Sequence, residues 1–212
     1  METDDLIALL AETPPPMRQG MVGKFLSWGT AGGVLATVVV MSVTLTVRPD
    51  LAAALTSAAF WTKFTYALCL AGIGFWLVER QSRAAADSRL PIFLIVVPIV
   101  ALLFRAIWEC LEPGADVHAL LMGHTAKACS SLILLLSLPI FAGLFWAMRK
   151  LTPTRLTLAG ASAGLLAGAA SAAIYCFHCP ETAAPFVLVW YSLGIALATG
   201  LGAVIGRWAL RW

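Results

Sequence analysis

Apolar residues in this chain are gathered into long unbroken runs. They do not alternate with polar residues, so half-buried strands are not expected, and they leave no polar face of the kind a soluble amphipathic helix carries. Read out to the nearest charge, the runs cover residues 26–47, 58–78, 90–108, 128–148, 156–175 and 185–206. Each is close to the roughly 17–25 residues an α-helix needs to cross a bilayer. The pattern predicts an all-α, polytopic membrane protein with six transmembrane helices. The stretches between, 48–57, 79–89, 109–127, 149–155 and 176–184, are too short for an independent domain. The expected organisation is a tail and proline tether over 1–25, a transmembrane domain over 26–206 and a short C-terminus over 207–212.

Composition agrees. Of 212 residues, 60% are hydrophobic and 12% charged, against roughly 45–50% and about 25% in soluble domains. This excludes an ordinary soluble enzyme. The net charge of +3 does not point to direct nucleic-acid binding, because the basic residues mark the ends of apolar runs and do not form one face. Arg18, Lys24, Arg80, Arg83, Arg89, Arg149, Lys150, Arg155, Arg207 and Arg211 fall on one side of the predicted membrane, and only Arg48 and Lys127 on the other. The positive-inside rule then places both termini in the cytoplasm. The first run is too long for a signal-peptide core and has no basic leader, so the N-terminus is expected to be retained.

Tryptophans provide an independent check, since their rings prefer the membrane interface. Trp28, Trp76, Trp146, Trp208 and Trp212 fall at inner ends, and Trp61, Trp108 and Trp190 near outer ends. Gly160, Gly164 and Gly168 recur every fourth residue in run five, and Gly194, Ala198, Gly202 and Gly206 do so in run six. Such stripes let helix backbones approach closely, which predicts that these two helices pack together. Run one carries a shorter version at Gly29 and Gly33.

The same frame sorts the chemistry-bearing residues. Cys110, Cys129, Cys176 and Cys179, with His118, His124 and His178, all fall at the outer side, whereas Cys69 lies mid-membrane. Cys176, His178 and Cys179 form a C-x-x-C with a histidine inside it, and Pro180 biases Cys179 away from helical geometry. Three readings are open for these thiols. They are small apolar packing residues; they form structural disulfides on an oxidising side; or they make a sensor, binding a thiophilic ion such as Cu(I) or Zn or undergoing oxidation. His118 and His124 have no zinc-ligand spacing. Lys63 and Arg105 lie within about a turn and a half of an outer end and are expected to snorkel, with Arg105 pairing with Glu109.

At the inner side, residues 1–13 carry Glu2, Asp4, Asp5 and Glu12 and no basic residue. Thr3 can cap a helix whose first turn holds Asp4 and Asp5 and whose apolar face is Leu6, Ile7, Leu9 and Leu10, ended by Pro14, Pro15 and Pro16. Its acidity disfavours an anionic lipid surface and favours a basic or groove-bearing protein partner. No phosphate loop, no serine–histidine–acid set and no paired mid-membrane acids are present. Soft ligands outside and a protein-binding helix inside predict a signal transducer in contact with membrane lipid, with no constitutive cofactor.

Several segments carry a family resemblance: Asp4 to Ala11, Arg48 to Leu51, Phe60 to Lys63, Cys129 followed by Leu136 to Pro139, Pro153 to Arg155, His178 to Glu181, Trp190 with Tyr191, and Leu210 to Trp212. On these the chain resembles the NrsF-type membrane anti-sigma factors, negative regulators of extracytoplasmic-function sigma factors. The resemblance implies six membrane helices in a bacterial inner membrane and a cytoplasmic N-terminal segment that holds a sigma factor inactive. It also implies that Cys129 and Cys179 sense the stress; Cys110 and Cys176 lie outside that motif. The expected mechanism is sequestration by residues 1–13, relieved when Cys129 and Cys179 bind a thiophilic metal or are oxidised. The rival reading is an enzyme, a membrane thiol oxidoreductase passing electrons from outer thiols to quinone, which needs no acidic tail. A metal permease is disfavoured by the lack of soft or acidic ligands along the bilayer interior beyond Cys69.

Overall fold

The computed structural model describes residues 19–82, 93–151 and 153–211, and among these every regular element is helical. The elements are α1 (Gln19–Thr44), α2 (Leu51–Thr56), α3 (Ala58–Gln81), α4 (Val96–Leu111), α5 (Val117–Met122), α6 (Ala126–Arg149), α7 (Leu156–Tyr175) and α8 (Ala184–Ala209). Among the described residues five segments are long and apolar enough to cross a membrane: α1 from Val22, α3, α5 continued by α6, α7 and α8. These account for five of the six expected crossings. The 16 residues of α4 fall short of the roughly 20 a crossing needs, and the start of the corresponding run, residues 90–92, lies outside the described residues. So does the acidic helix expected at Asp4, Asp5, Leu6, Ile7, Leu9 and Leu10.

Two connections expected as plain loops each contain a short helix, α2 and α5. In α5 the cause is local: the Asp116 carboxylate accepts from the His118 N–H at 3.0 Å and the Ala119 N–H at 3.1 Å, satisfying donors that a helix start leaves unpaired.

Helix α7 runs through the middle of the bundle, 78% of its apolar window buried against 28% for α1. Its composition makes this possible, because a helix of Gly, Ala and Ser presents almost no side-chain bulk to its neighbours. The two glycine stripes do face each other: a Cβ on Gly160 would run into the Gly202 carbonyl and sit 2.8 Å from the Gly206 Cα. Gly29 and Gly33 of α1 make the same kind of approach to Gly143 and Ile140 of α6. Side-chain hydroxyls then tie the helices crosswise. Thr37 of α1 donates to the Leu136 carbonyl at 3.0 Å, Ser171 of α7 to Ile133 at 2.9 Å, and Ser130 of α6 to Trp190 at 2.7 Å. Apolar side chains such as Val97, Phe104 and Trp108 of α4 are left on the outside, as suits a lipid-facing surface.

The bundle has two chemically distinct ends. At one, Lys150 lies 4.1 Å from the Trp146 ring centroid and 5.3 Å from that of Phe25, and Arg149 Nε donates to the Ala209 carbonyl at 2.6 Å. At the other are the end of α1, the starts of α3 and α6, the end of α7 and the start of α8, and there the cysteines collect.

Candidate thiol site

Cys176 closes α7, and the chain makes one further tight turn in which the His178 and Cys179 N–H groups both donate to the Tyr175 carbonyl at 3.0 Å. Pro180 has no N–H to continue the helix and disfavours helical geometry at the residue before it. The chain therefore breaks at Cys179 and runs on to α8. Cys129, in the first turn of α6, faces it. Cys129, Cys176 and Cys179 are all free thiols with no solvent exposure.

The walls are aromatic. Phe177 packs edge-on against Phe60 and Phe64 of α3, with ring centroids 5.6 and 5.7 Å away, and Tyr175 lies 5.9 Å from Tyr191. Tyr191 ends a π-helical turn, Val187–Tyr191, inside α8. Such turns shift the helical register by one residue and recur at functional sites. The Tyr191 hydroxyl is fully buried and has no hydrogen-bond partner.

Lys63 is the largest departure from the sequence reading. It does not snorkel to the surface; it is 1% exposed, and its Nζ donates to the carbonyls of Cys179 at 2.8 Å and Glu181 at 2.9 Å. Arg48 reaches the same place from the end of α1, its Nη1 donating to the Cys179 carbonyl at 3.3 Å while Asp50 holds its other edge at 2.7 and 2.5 Å. His178 donates from Nδ1 to the Thr46 carbonyl at 2.9 Å, which fixes its tautomer and leaves Nε2 as the free nitrogen.

These surroundings separate two thiols only three residues apart. Burial pushes the Cys176 thiol up to about 12, because the thiolate loses its hydration. Cys179 is instead lowered: the adjacent Cys129 thiol donates toward its sulfur and the Lys63 ammonium attracts its charge, together outweighing burial. The Tyr191 hydroxyl lies beside both sulfurs but meets neither in hydrogen-bonding geometry. An anionic thiol against a protonated one is the arrangement from which a disulfide forms once one sulfur is oxidised. It can also present two sulfurs to one soft metal ion. Among the described residues no group of three or more His, Cys, Asp or Glu side chains converges on a metal position. A four-ligand zinc site is therefore a poorer fit than Cu(I), which soft thiolates select.

Cys110 stands apart. It lines an apolar cavity of about 250 Å³ with Leu103, Leu121 and Leu188, and Cys69 is exposed on a groove between α3 and α4. His118 lies in α5, and the backbone N–H of His124 donates to Glu181 Oε1 at 2.7 Å. Arg105 does pair with Glu109, at 3.0 Å, and the other Glu109 oxygen accepts from the Ala184 N–H at 2.7 Å. Lys63, Arg48 and Tyr191 also belong to the site, though their residue types and spacing did not point to it. The available signal was their place in the segments that carry the family resemblance, Phe60 to Lys63, Arg48 to Leu51 and Trp190 with Tyr191.

A family model described as "Negative regulator of sigma F" matches residues 10–212. The chain is 37% identical over 217 residues to the "Probable anti-sigma-F factor NrsF" of Azospira oryzae, and 40% identical over 223 residues to the "Anti-sigma-F factor NrsF" of Caulobacter vibrioides. Both alignments cover the whole of each chain. No solved structure matches.

Proposed function

Because the chain belongs to the family of negative regulators of sigma F, we propose that it is a multi-pass anti-sigma factor of the bacterial inner membrane. In this reading it sequesters an extracytoplasmic-function sigma factor through residues 1–13 and releases it when Cys129 and Cys179 react. Both termini are cytoplasmic, α4 supplies the sixth crossing, and the thiol end of the bundle faces the periplasm. Asp4 and Asp5 offer charge, and Leu6, Ile7, Leu9 and Leu10 an apolar face, to the sigma factor. The ten-to-two distribution of basic residues supports this orientation.

The observation that carries the trigger is the meeting of Cys129 and Cys179. They are fifty residues apart in sequence and on different elements, and both are buried free thiols. Either a thiophilic ion held by the two sulfurs, Cu(I) before Zn, would neutralise the thiolate charge, or a two-electron oxidant would join the sulfurs as a disulfide with loss of both protons; each would draw Cys179 toward α6. Shifting a two-state equilibrium from 1:99 to 99:1 takes about 5.5 kcal/mol of differential affinity, which reaction at the two sulfurs has to supply.

The test is capture of a candidate sigma factor by the detergent-solubilised full chain, by a chain lacking residues 1–13, and by Cys129→Ser and Cys179→Ser variants, each with and without Cu(I). Tail-dependent capture that Cu(I) abolishes in the parent but not in the serine variants is the expected result. No capture by the parent chain would refute the reading and favour a thiol oxidoreductase, whose activity would survive loss of the tail.

A further inference from the structure

A buried lysine and a half-buried arginine converge on one backbone carbonyl in the thiol site. Lys63, from the second turn of α3, and Arg48, from just beyond α1, both donate to the oxygen of Cys179. Lys63 also holds the Glu181 carbonyl, and the Arg48 backbone N–H donates to the Phe177 carbonyl at 3.1 Å. His178 adds the contact to Thr46, a residue with φ at 61°. That left-handed conformation is uncommon for a β-branched residue and persists only where its surroundings hold it. Residues 177–181 are thus fastened at four points to the segment following α1 and to α3.

Among the described residues Lys63 has no carboxylate partner. A buried ammonium whose hydrogen-bond partners are two neutral carbonyls is costly compared with an apolar side chain of the same size. Packing alone would favour Met or Leu at this position. Besides attracting the charge of the nearby Cys179 sulfur, the ammonium holds two carbonyl oxygens of a proline-interrupted turn in one orientation, which an apolar group cannot do.

We propose that Lys63 and Arg48 are positioning residues which make residues 177–181 a latch between the thiols and the ends of α1 and α3, and that reaction at the Cys179 sulfur acts by pulling its carbonyl off both cations. This rests on the reading of the thiols as the trigger of an anti-sigma factor. The Cys179 sulfur and carbonyl belong to one residue, and only four residues separate Cys179 from α8, so the chain has little slack to let the sulfur move while the carbonyl stays. Helix α1 is the element that leads to residues 1–18. Its outer end is the part the latch grips, and it also lies against α6, the helix that carries Cys129.

Diamide serves as the probe. The two thiols form the S–S bond, and their two protons and two electrons pass to the azo nitrogens, which become a hydrazine. In the full-length parent chain, hydrogen–deuterium exchange of peptides covering residues 46–50 and 176–182 is compared before and after diamide, alongside sigma-factor capture. The expected result is loss of amide protection in both peptides together with release. Protection unchanged while the sigma factor is released would overturn the latch. Loss of protection by a chain that never captures a sigma factor would sustain the latch and refute the functional reading.

Variants add a second arm. Lys63→Met and Arg48→Leu should lower capture without diamide by at least about tenfold, the scale set by losing a charge-assisted hydrogen bond, with Cys129 and Cys179 still free by mass. Lys63→Arg should restore most of it. Asp50→Asn, at an exposed position that only steadies Arg48, should give a smaller loss in a chain that elutes as the parent does. Capture and release equal to the parent in Lys63→Met and Arg48→Leu would overturn the proposal.

Discussion

Adjacent glycines in α1 provide a test of the packing with a built-in control. A Cβ on Gly33 would lie 2.6 Å from the Ile140 Cα and 3.0 Å from the Pro139 carbonyl oxygen, backbone atoms of α6 that cannot rotate away. A Cβ on Gly32, one residue earlier on the same helix, meets nothing within 4 Å. Both Gly→Ala changes gain the same intrinsic helix preference, roughly 0.5–1 kcal/mol. The difference between the two variants therefore isolates the steric cost, which for an added methyl in a close-packed contact is about 1–3 kcal/mol. At about 2–4 °C per kcal/mol for a chain of this size, Gly32→Ala should equal or exceed the parent in Tm. Gly33→Ala should melt about 2–12 °C below Gly32→Ala.

Thermal unfolding of the purified chains in one detergent, followed by tryptophan fluorescence, measures the gap. Sigma-factor capture by the same samples adds a functional reading, since displacing α1 from α6 displaces the helix that leads to the tail. Equal Tm values for the two variants would mean that α1 does not cross α6 at Gly33, and the packing described above would be wrong.

Two further predictions concern the site. The alkylation rate of Cys179, read by peptide mass, should level off at a lower pH than that of an ordinary thiol, whose pKa is about 8.5, because its thiolate is favoured; tenfold increases per pH unit continuing to pH 8 would refute the stabilised thiolate. Tyr191→Phe removes a buried hydroxyl that has no partner and should raise stability by about 1 kcal/mol, whereas a loss of that size would reveal a hydrogen bond to sulfur.

The composition of the runs alone determined that the chain is helical and apolar, because the length and hydrophobicity a membrane crossing needs are properties of one segment at a time, met by five of the runs among the described residues. The pairing of α7 with α8 was also legible, since small residues at a spacing of four define a face whatever the partner. Both partners of the Arg105 and Glu109 pair lie on one helix, which made that contact readable too. The short helices α2 and α5 were not legible: a six-residue helix depends on a cap or a neighbour more than on pattern.

Lys63 shows where tertiary structure decided the outcome. Its position near a helix end was equally compatible with snorkelling or burial. The choice turned on two carbonyls of a turn more than a hundred residues away, exposed by Pro180 and brought to α3 by the path of the chain. The same holds for the thiols. Four cysteines could be assigned to one side of the membrane by counting residues, but only the packing of α6, α7 and α8 brought Cys129 to Cys179, buried Cys176 beside them and left Cys110 in a separate apolar cavity. Membrane insertion is set segment by segment and can be read from one run at a time, whereas a site assembled from several helix ends depends on distances that no single run contains.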